Sequence, residues 1–232
     1  MKCTAIVLAA GQGKRMNSKV QKQFLCIQGH PVLYYSLQCF EKCAWITDII
    51  LVTGKDEIDY CREQIVDKYN FQKVSAIVAG GKERYNSVYN GLLACNQTDY
   101  VFIHDGARPF VTQEILERAL VCVQENRACA AGMPSKDTIK IVNANREVES
   151  TPDRRFVWNV QTPQVFAYEL IASSYNKALQ GDCSKITDDA MVVETYGNCK
   201  VYLYEGSYEN VKITTPSDLI LAEEFAKMLL VL

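Results

Sequence analysis

The chain has 232 residues, of which 48% are hydrophobic and 22% are charged, proportions typical of a folded globular protein. Its formal net charge of −2 at pH 7 argues against a general affinity for nucleic acid or anionic membranes. No apolar run approaches the roughly 18 residues of a membrane span, and an apolar strand begins almost at once, so we expect a cytoplasmic protein without a signal peptide.

The ten cysteines are spread along the chain, and no two of them have the C-x-x-C spacing of a metal or redox motif. The chain has only two histidines, His30 and His104, so we expect no zinc site. Cys39 and Cys43 lie four residues apart on a predicted helix, a spacing typical of core packing. We therefore expect reduced thiols in a reducing compartment.

Strands and helices alternate up to residue 134. Apolar runs predict strands near residues 3–9, 48–53, 74–79, 99–104 and 128–133, and helical periodicity predicts helices near 31–43, 56–69, 84–95 and 112–126. Pro31 suits the first turn of the first helix, and Thr112 suits the N-cap of the last one. This alternation predicts an α/β fold in three α/β/α layers, with a mostly parallel central sheet and helices on both faces.

The pattern changes after residue 134. Alternating residues at 137–142, a turn at 143–145 and a short run at 147–149 predict a protruding β-hairpin arm near residues 135–158. Helices near 167–180 and 187–196 and a strand at 200–205 follow. No repeat or linker interrupts the sequence, so we expect a single domain over residues 1–232.

A final helix is predicted after residue 214. Thr215 supplies its N-cap, Pro216 its first helical position and Asp218 an acid at the third. We expect its buried stripe to contain Leu219, Ala222, Ala226 and Leu229.

The loop after the first predicted strand contains small residues followed by two cations. It reads Ala9-Ala10-Gly11-Gln12-Gly13 and then Lys14-Arg15. Glycine and alanine let backbone N–H groups approach an anion, so the loop indicates a phosphate site at the carboxyl end of this strand. A Walker A loop does not fit, and Met16 stands where a dinucleotide fingerprint needs its third glycine. A solvated glycine turn is the alternative.

Three further segments place glycine or charge in loops near the same edge of the predicted sheet. Residues 19–24 continue the first loop, residues 79–84 follow the third predicted strand and residues 104–109 follow the fourth. The carboxyl ends of parallel strands form the ligand crevice of such a sheet. We therefore expect one nucleotide site built from these loops.

Asp105 is the best candidate ligand for Mg²⁺, an ion that is commonly held by one carboxylate together with phosphate oxygens and water. Each of these loop residues also has a simpler interpretation. A turn also accounts for Gly80 and Gly81, a cap of the next element for Asp105 and a surface cation for Arg108, but one shared nucleotide site explains the set better.

Together these residues resemble the 2-C-methyl-D-erythritol 4-phosphate cytidylyltransferase family. The resemblance extends in order over nearly the whole chain and implies a Rossmann-like nucleotidyltransferase fold. The motifs that carry it are LAAGxGxRM (8–16), KQF (22–24), GGxER (80–84), HDGARP (104–109), DTIK (137–140), DR (153–154), QTPQ (161–164), ITD (186–188) and NVKIT (210–214).

The resemblance implies an activity and its partners. Enzymes of this family transfer CMP from CTP to 2-C-methyl-D-erythritol 4-phosphate, giving 4-diphosphocytidyl-2-C-methyl-D-erythritol and pyrophosphate in non-mevalonate isoprenoid biosynthesis. The implied cofactor is Mg²⁺, and the implied substrates are CTP and a sugar-alcohol phosphate. The resemblance also implies a homodimer, in which the arm near residues 135–158 reaches into the partner's site.

The resemblance assigns roles to individual residues. The implied catalytic residues are Arg15, Lys22, Arg154 and Lys212. The implied CTP-binding residues are Ala9, Ala10, Gly11, Gly13, Gly81, Ser87, Asp105 and Gly106, with Asp105 also holding Mg²⁺. The implied acceptor-binding residues are Arg108, Thr138, Arg154, Thr162, Thr187 and Lys212.

The chain departs from the family pattern at three positions. Gln21 stands where proline is commoner, Gly106 replaces a more usual alanine, and Lys82 stands where an acid is frequent. We expect Gly106 and Lys82 to affect how the pocket binds CTP. Neither of these two departures removes a charged catalytic group.

Three other functions are consistent with parts of the sequence. Ribitol-5-phosphate cytidylyltransferase shares the fold and several motifs, but GAR at 106–108 and DTIK at 137–140 favour methylerythritol phosphate as the acceptor. A non-catalytic nucleotide-binding protein is disfavoured because the charged residues of the site are intact: Arg15, Lys22, Asp105 and Lys212. A dehydrogenase is disfavoured by Met16.

Overall fold

The computed structural model of the chain describes residues 1–11 and 20–231, without the side chains of residues 228–231. Its strands are β1 (Cys3–Ala9), β2 (Cys26–Ile27), β3 (His30–Pro31), β4 (Ile46–Thr53), β5 (Val74–Ala79), β6 (Tyr100–Asp105), β7 (Ala128–Pro134), β8 (Ile141–Val142), β9 (Val148–Ser150), β10 (Trp158–Ala167) and β11 (Tyr202–Glu205). Its helices are α1 (Val32–Lys42), α2 (Ile58–Cys61), which continues as a π-helical stretch (Arg62–Asp67), α3 (Arg84–Ala94), α4 (Gln113–Asn126), α5 (Tyr168–Ala178), α6 (Asp189–Tyr196) and α7 (Pro216–Val231).

A seven-stranded sheet forms the centre, in the order β11-β7-β10-β6-β1-β4-β5. Strand β1 pairs in parallel with β4 and β6, β4 with β5, and β11 with β7. Only β10, among the strands of this sheet, runs antiparallel to its neighbours, β6 and β7. The prediction of a mostly parallel sheet is therefore confirmed, with β10 as an addition that the sequence pattern did not reveal.

Helices cover both faces of the sheet, because residues of each buried strand alternate between two hydrophobic clusters. On one face Val7 of β1 packs with Phe40 of α1 and Leu116 of α4. On the other face Ile6 packs with residues of α3, α5 and α6, including Val88 and Ile171. This confirms the predicted three-layer α/β/α architecture.

The helix start signals that the sequence predicts are partly confirmed. The Thr112 side chain caps α4 by accepting a hydrogen bond from the N–H of Ile115. The Asp218 carboxylate accepts hydrogen bonds from the N–H groups of Thr214 and Thr215, each at 2.8 Å, so that α7 begins at Pro216. Pro31, by contrast, is the last residue of β3, and α1 begins one residue later, because β2 and β3 form a short hairpin that the prediction lacked.

Helix α7 packs against the β2–β3 hairpin. Ala222 and Ala226 are buried, and they share a hydrophobic cluster with Ile27 and Ile213, while Leu219 is partly buried against the same cluster. These contacts agree with the predicted stripe, apart from Leu229, whose side chain lies outside the described residues. The helix therefore packs against Ile213, within residues 210–214, which form one of the predicted site motifs.

The arm, near residues 135–158, contains a two-stranded hairpin, β8–β9, that is separate from the central sheet. Its apolar side chains are exposed, with Val148 at 57% and Phe156 at 80% of full exposure. Such a hairpin cannot form a core of its own, so its apolar residues are available to a partner. The chain returns from the arm into the sheet as β10.

All ten cysteines are free thiols, as the sequence analysis expected. Cys43 is buried and belongs to one core cluster, and Cys39 packs against the same cluster. Burial raises the pKa of the Cys39 thiol to about 12, so this thiol is protonated and unreactive at neutral pH.

Gly91 allows α3 to lie close against the sheet. A Cβ atom at this position would lie 2.6 Å from Ile6 Cγ2 and 3.1 Å from Val52 Cγ2. Gly91→Ala should therefore destabilise the fold by roughly 1–3 kcal/mol through overpacking, although alanine is the better helix former. Thermal or urea unfolding measures this, with Leu93→Ala as the control, because Leu93 is 66% exposed on the same helix. Unchanged or increased stability of Gly91→Ala would contradict the prediction.

Candidate active site

A cleft of about 650 Å³ opens at the carboxyl ends of β1 and β6, beside the N-terminus of α3. It lies at the sheet edge where the sequence analysis expected a nucleotide site. The residues that line it are Leu8, Ala9, Ala10, Gly11, Lys22, Gln23, Gly81, Lys82, Glu83, Arg84, Ser87, Asp105, Ala107 and Lys212.

Many of the predicted site residues meet in this cleft, although they come from four separate parts of the chain. They are Ala9, Ala10, Gly11, Lys22, Gly81, Ser87, Asp105 and Lys212. Gly13 and Arg15, which were predicted to bind and activate CTP, lie outside the described residues. Lys82, one of the departures from the family pattern, also lines the cleft and is exposed.

Gly80 allows the loop after β5 to approach the loop after β1, and Gly81 allows it to pass close to Asn86 of α3. A Cβ atom on Gly80 would lie 2.5 Å from Ala10 Cβ and 2.8 Å from Ser87 Oγ. The Gly81 N–H donates a hydrogen bond of 3.0 Å to Ser87 Oγ. Close approach, rather than turn formation alone, therefore explains the glycine pair.

Lys22 is held near the end of β1 by its neighbours in sequence. It begins a short 3₁₀ turn, Lys22–Phe24, in which Gln23 is buried. The Gln23 amide donates a hydrogen bond of 2.6 Å to the Ala9 carbonyl and also contacts the Gln21 side chain. Gln21 therefore has a structural role here, although the family more often has proline at this position.

Asp105 lies at the base of the cleft, only 8% exposed, and faces three cations. Lys212 Nζ lies 2.7 Å from its Oδ2, Arg84 Nε 3.7 Å from its Oδ1 and Arg108 Nε 3.8 Å from its Oδ2. Burial disfavours the charged carboxylate, but Lys212, Arg84 and Arg108 outweigh burial and hold the pKa of Asp105 well below its usual range. Asp105 is therefore ionised at neutral pH.

Lys212 reaches Asp105 from a loop that is fixed from behind. The Arg108 guanidinium donates a hydrogen bond of 2.7 Å to the Asn210 carbonyl, and the Asn210 amide donates one of 2.9 Å to the Thr162 carbonyl. The N–H of Ile213 donates to the Ala107 carbonyl at 2.9 Å. Because Asn210 and Ile213 are fully buried, they anchor the loop on both sides of Lys212.

Thr162 and His104 lie behind Asp105 rather than in the cleft lining. The Asp105 N–H donates to Thr162 Oγ1 at 3.0 Å, and this hydroxyl lies 3.1 Å from His104 Nδ1. His104 Nε2 lies 3.1 Å from the Arg108 carbonyl, which assigns the ring proton to Nε2. Burial lowers the pKa of His104 to about 4, so the ring is neutral at pH 7 and orients its neighbours.

Gly106 also lies behind the cleft. Its N–H donates a hydrogen bond of 2.9 Å to the Leu8 carbonyl, and a Cβ atom there would lie 2.9 Å from Leu33 Cδ1. The alanine that is more usual in the family would require Leu33 to move in this chain. The role of Gly106 in CTP binding stays a prediction.

Of the six predicted acceptor-binding residues only Lys212 lines the cleft; Arg108 and Thr162 lie behind it, and the other three are exposed and lie apart from it. Thr138 and Arg154 are on the arm, where the Arg154 guanidinium donates to the Lys136 carbonyl at 3.1 Å. Thr187 lies just before α6, with its hydroxyl 3.6 Å from Met191 Sδ. Their roles stay predictions, and within one protomer Arg154 is not among the residues that line the cleft.

Arg84 is a cleft residue that the sequence analysis did not assign. It forms a two-pronged ion pair with Asp189, with Nη1 2.8 Å from Oδ1 and Nη2 2.7 Å from Oδ2. Burial opposes the charge on Arg84, but Asp189 and Asp105 outweigh burial and raise the pKa of the guanidinium. The only sequence signal was the position of Arg84 in the GGxER motif.

Among the described residues, no three His, Cys, Asp or Glu side chains cluster closely enough to hold a metal ion by themselves. Of the described residues that line the cleft, Asp105 and Glu83 carry carboxylates, and the Glu83 carboxylate caps the N-terminus of α3, so Asp105 is the candidate ligand. One carboxylate suits Mg²⁺, which takes its remaining ligands from phosphate oxygens and water. No helix within the described part of the chain is both long and apolar enough to cross a membrane.

Comparisons with known proteins identify the family. A family model described as 2-C-methyl-D-erythritol 4-phosphate cytidylyltransferase matches residues 3–228. An enzyme of that name from Lachnoclostridium phytofermentans is 50% identical over 222 residues, which cover 96% of this chain and 95% of the relative. One from Clostridium botulinum (strain Langeland) is 51% identical over 229 residues, which cover 98% of this chain and 99% of the relative.

A solved structure gives the same result for the fold. The 4-diphosphocytidyl-2C-methyl-D-erythritol synthase of Anaerococcus prevotii is 35% identical and superposes with a TM-score of 0.86, covering 97% of this chain and 96% of that one. The resemblance drawn from the motifs is thus confirmed. The chain belongs to the 2-C-methyl-D-erythritol 4-phosphate cytidylyltransferase family of nucleotidyltransferases.

Proposed function

We propose that the cleft binds CTP and 2-C-methyl-D-erythritol 4-phosphate and transfers CMP to the acceptor, with release of pyrophosphate. Family membership supports the reaction. The observation that carries the assignment to this cleft is that Lys22, Arg84 and Lys212 all line it, with Arg84 and Lys212 directly beside the ionised Asp105. Two polyanions must meet in the reaction, and a cleft rich in cations lowers the electrostatic cost of bringing them together.

The reaction exchanges one phosphorus–oxygen bond for another. A phosphate oxygen of the acceptor forms a bond to the α-phosphorus of CTP. The bond from that phosphorus to the oxygen that bridges to the β-phosphate breaks, and pyrophosphate leaves with the electron pair. The attacking phosphate is already largely ionised at neutral pH, because its second pKa is about 6, so no general base is required. The neutral, buried His104 is consistent with this scheme.

Binding and charge stabilisation are therefore the tasks of the protein. The closely spaced backbone of Ala10, Gly80 and Gly81 suits contact with the nucleotide. Lys22 and Lys212 are placed to stabilise negative charge on the α-phosphate and on the departing pyrophosphate. Arg15 is proposed to act with them, as the family resemblance implies.

Asp105 would hold Mg²⁺ together with phosphate oxygens of CTP. The ion, when bound, supplies additional positive charge to the triphosphate. Lys212 and Arg84 keep the Asp105 carboxylate ionised and oriented.

Asp105→Asn should raise the Mg²⁺ concentration needed for half-maximal activity. The amide keeps the shape of the side chain but removes the negative charge that attracts the ion. Initial rates at saturating CTP over a range of Mg²⁺ concentrations measure the effect, with Asp99→Asn as a surface control outside the cleft. An unchanged Mg²⁺ dependence in Asp105→Asn would identify Asp105 as a structural residue.

A direct assay tests the proposed function and its acceptor. Purified protein with CTP and Mg²⁺ should release pyrophosphate when 2-C-methyl-D-erythritol 4-phosphate is added, and the rate with ribitol 5-phosphate should be much lower. A faster rate with ribitol 5-phosphate would reassign the acceptor. Binding of CTP without pyrophosphate release with either acceptor would indicate a non-catalytic nucleotide-binding protein.

We also propose that the active form is a homodimer that exchanges arms. Support comes from the exposed apolar residues of the arm, Ile141, Val142, Val148 and Phe156. It also comes from Arg154, which lies on the arm and apart from the cleft lining of its own chain. In such a dimer Arg154 acts on the phosphates bound by the other subunit. The expected location of the enzyme is the cytoplasm, where CTP is available and thiols stay reduced.

A further inference from the structure

Asp189 is a buried carboxylate outside the cleft lining. It is the first residue of α6 and is 0% exposed. Besides the Arg84 guanidinium, it has the Tyr175 hydroxyl, which donates to Oδ1 at 2.6 Å. Its own N–H donates to Gln164 Oε1 at 3.0 Å. Its backbone and side chain are therefore held by three different elements, α3, α5 and β10.

The ion pair fixes the orientation of Arg84. Both terminal nitrogens of the guanidinium are bound by Asp189, one to each carboxylate oxygen. A two-pronged arginine–carboxylate pair fixes the guanidinium plane as well as its position. The third nitrogen, Nε, then lies on the opposite edge, 3.7 Å from Asp105 Oδ1.

Arg84 in turn lies beside the Asp105 carboxylate. Lys212 contacts Asp105 through Oδ2, whereas Arg84 faces Oδ1, so the two cations hold the carboxylate from different sides. Arg84 also lines the cleft, with 30% of its side chain exposed. A guanidinium that was free to rotate would lose this alignment and present a different edge to incoming phosphates.

We propose that Asp189 is a positioning residue of the active site: it clamps Arg84 so that the guanidinium orients Asp105 and faces the bound triphosphate. The inference rests on the proposed function of the cleft. The alternative is a purely structural role, in which Asp189 only fastens α6 to α3 and α5. The two roles differ in whether the kinetics of Mg²⁺ and CTP depend on Asp189.

Asp189→Asn tests the proposal, with Tyr175→Phe as the matched control. The amide cannot pair with both guanidinium nitrogens as an acceptor, so kcat should fall on the order of 10-fold to 100-fold, and half-saturation by Mg²⁺ should need a higher concentration. Tyr175→Phe removes another hydrogen bond of Asp189 but leaves the arginine pair. It should lower the melting temperature while kcat and the Mg²⁺ dependence stay within about twofold of wild type.

A double substitution separates an effect through Arg84 from a general loss of structure. Arg84→Gln alone should reproduce the defect of Asp189→Asn. The Arg84→Gln, Asp189→Asn double variant should be no worse than Arg84→Gln, because Asp189 has no other route to the site in this proposal. Because Arg84→Gln leaves the buried Asp189 carboxylate without its arginine, the melting temperature of each variant is measured beside its kinetics, and the double variant, which leaves neither charge unpaired, should be at least as stable as Arg84→Gln.

Calorimetric CTP binding in the presence of Mg²⁺ gives a readout that does not need turnover. CTP affinity should fall about 5-fold or more in Asp189→Asn and stay near wild type in Tyr175→Phe. Wild-type kinetics and affinity in a folded Asp189→Asn variant would overturn the proposal, as would a further loss in the double variant relative to Arg84→Gln. An inactive wild-type protein would contradict the proposed function, and CTP binding would then still decide the role of Asp189.

Discussion

Replacing Lys212 with alanine should lower kcat by roughly 100-fold or more while the protein stays folded. In the proposed reaction Lys212 supplies a positive charge at the point where negative charge develops, and loss of one such preorganised group typically has an effect of this size. Its effect on stability should be small, because its side chain is 36% exposed and Arg84 and Arg108 remain beside Asp105. Steady-state kinetics and thermal unfolding measure the two effects.

The control for Lys212→Ala is Lys200→Ala. Lys200 is exposed just before β11 and does not line the cleft, so its removal tests whether loss of any lysine slows the enzyme. Lys22→Ala should behave like Lys212→Ala. A Lys212→Ala enzyme that turned over at nearly the wild-type rate would remove Lys212 from the catalytic set.

Two inactive variants should restore each other's activity when their subunits are mixed. If Arg154 acts on the site that contains the partner's Lys22, homodimers of Lys22→Ala and of Arg154→Ala should both be nearly inactive. Unfolding and refolding them together should form mixed dimers, in which one site carries both substitutions and the other carries neither. Equal mixing should then restore up to about a quarter of wild-type activity, because half of the dimers are mixed and each has one intact site.

The control for this experiment is each variant refolded by itself, which should stay inactive. Native mass spectrometry establishes that mixed dimers have formed. If Lys22 and Arg154 acted within the same chain, every site in the mixture would contain a substitution. Absence of recovery with mixed dimers present would therefore rule out the shared site.

The sequence predicted the parallel half of the fold well, because each strand there is a continuous apolar run and each helix has a regular apolar face. Strand β10 was missed because its sequence pattern is interrupted. Pro163 has no N–H to donate to a neighbouring strand, and the register of β10 against β7 shifts between Val160 and Gln164. The β2–β3 hairpin was missed because two-residue strands leave no period to detect.

The sequence predicted those residues of the candidate site that lie at the end of a strand or directly after one. Asp105 ends β6, and Ala9 ends β1, so the topology brings them to one edge. The pairing of Arg84 with Asp189 was not predictable in this way, because Asp189 begins a helix 105 positions further along the chain. The motif assigned Gly106 to CTP binding, which stays a prediction; its sequence position gave no sign that an added Cβ would meet Leu33.

Strand β10 connects the arm to the backbone of Asp105 in the same chain through one hydrogen bond. The chain passes from the 3₁₀ turn Arg154–Phe156 almost directly into β10, and Thr162 on that strand accepts the hydrogen bond from the Asp105 N–H. In a dimer with exchanged arms, the segment 154–162 therefore touches one substrate pocket at its beginning and supports the other at its end. In such a dimer we expect ligand-induced movement of an arm at one pocket to shift β10 and Thr162 beside the other pocket, which would couple the two subunits during turnover.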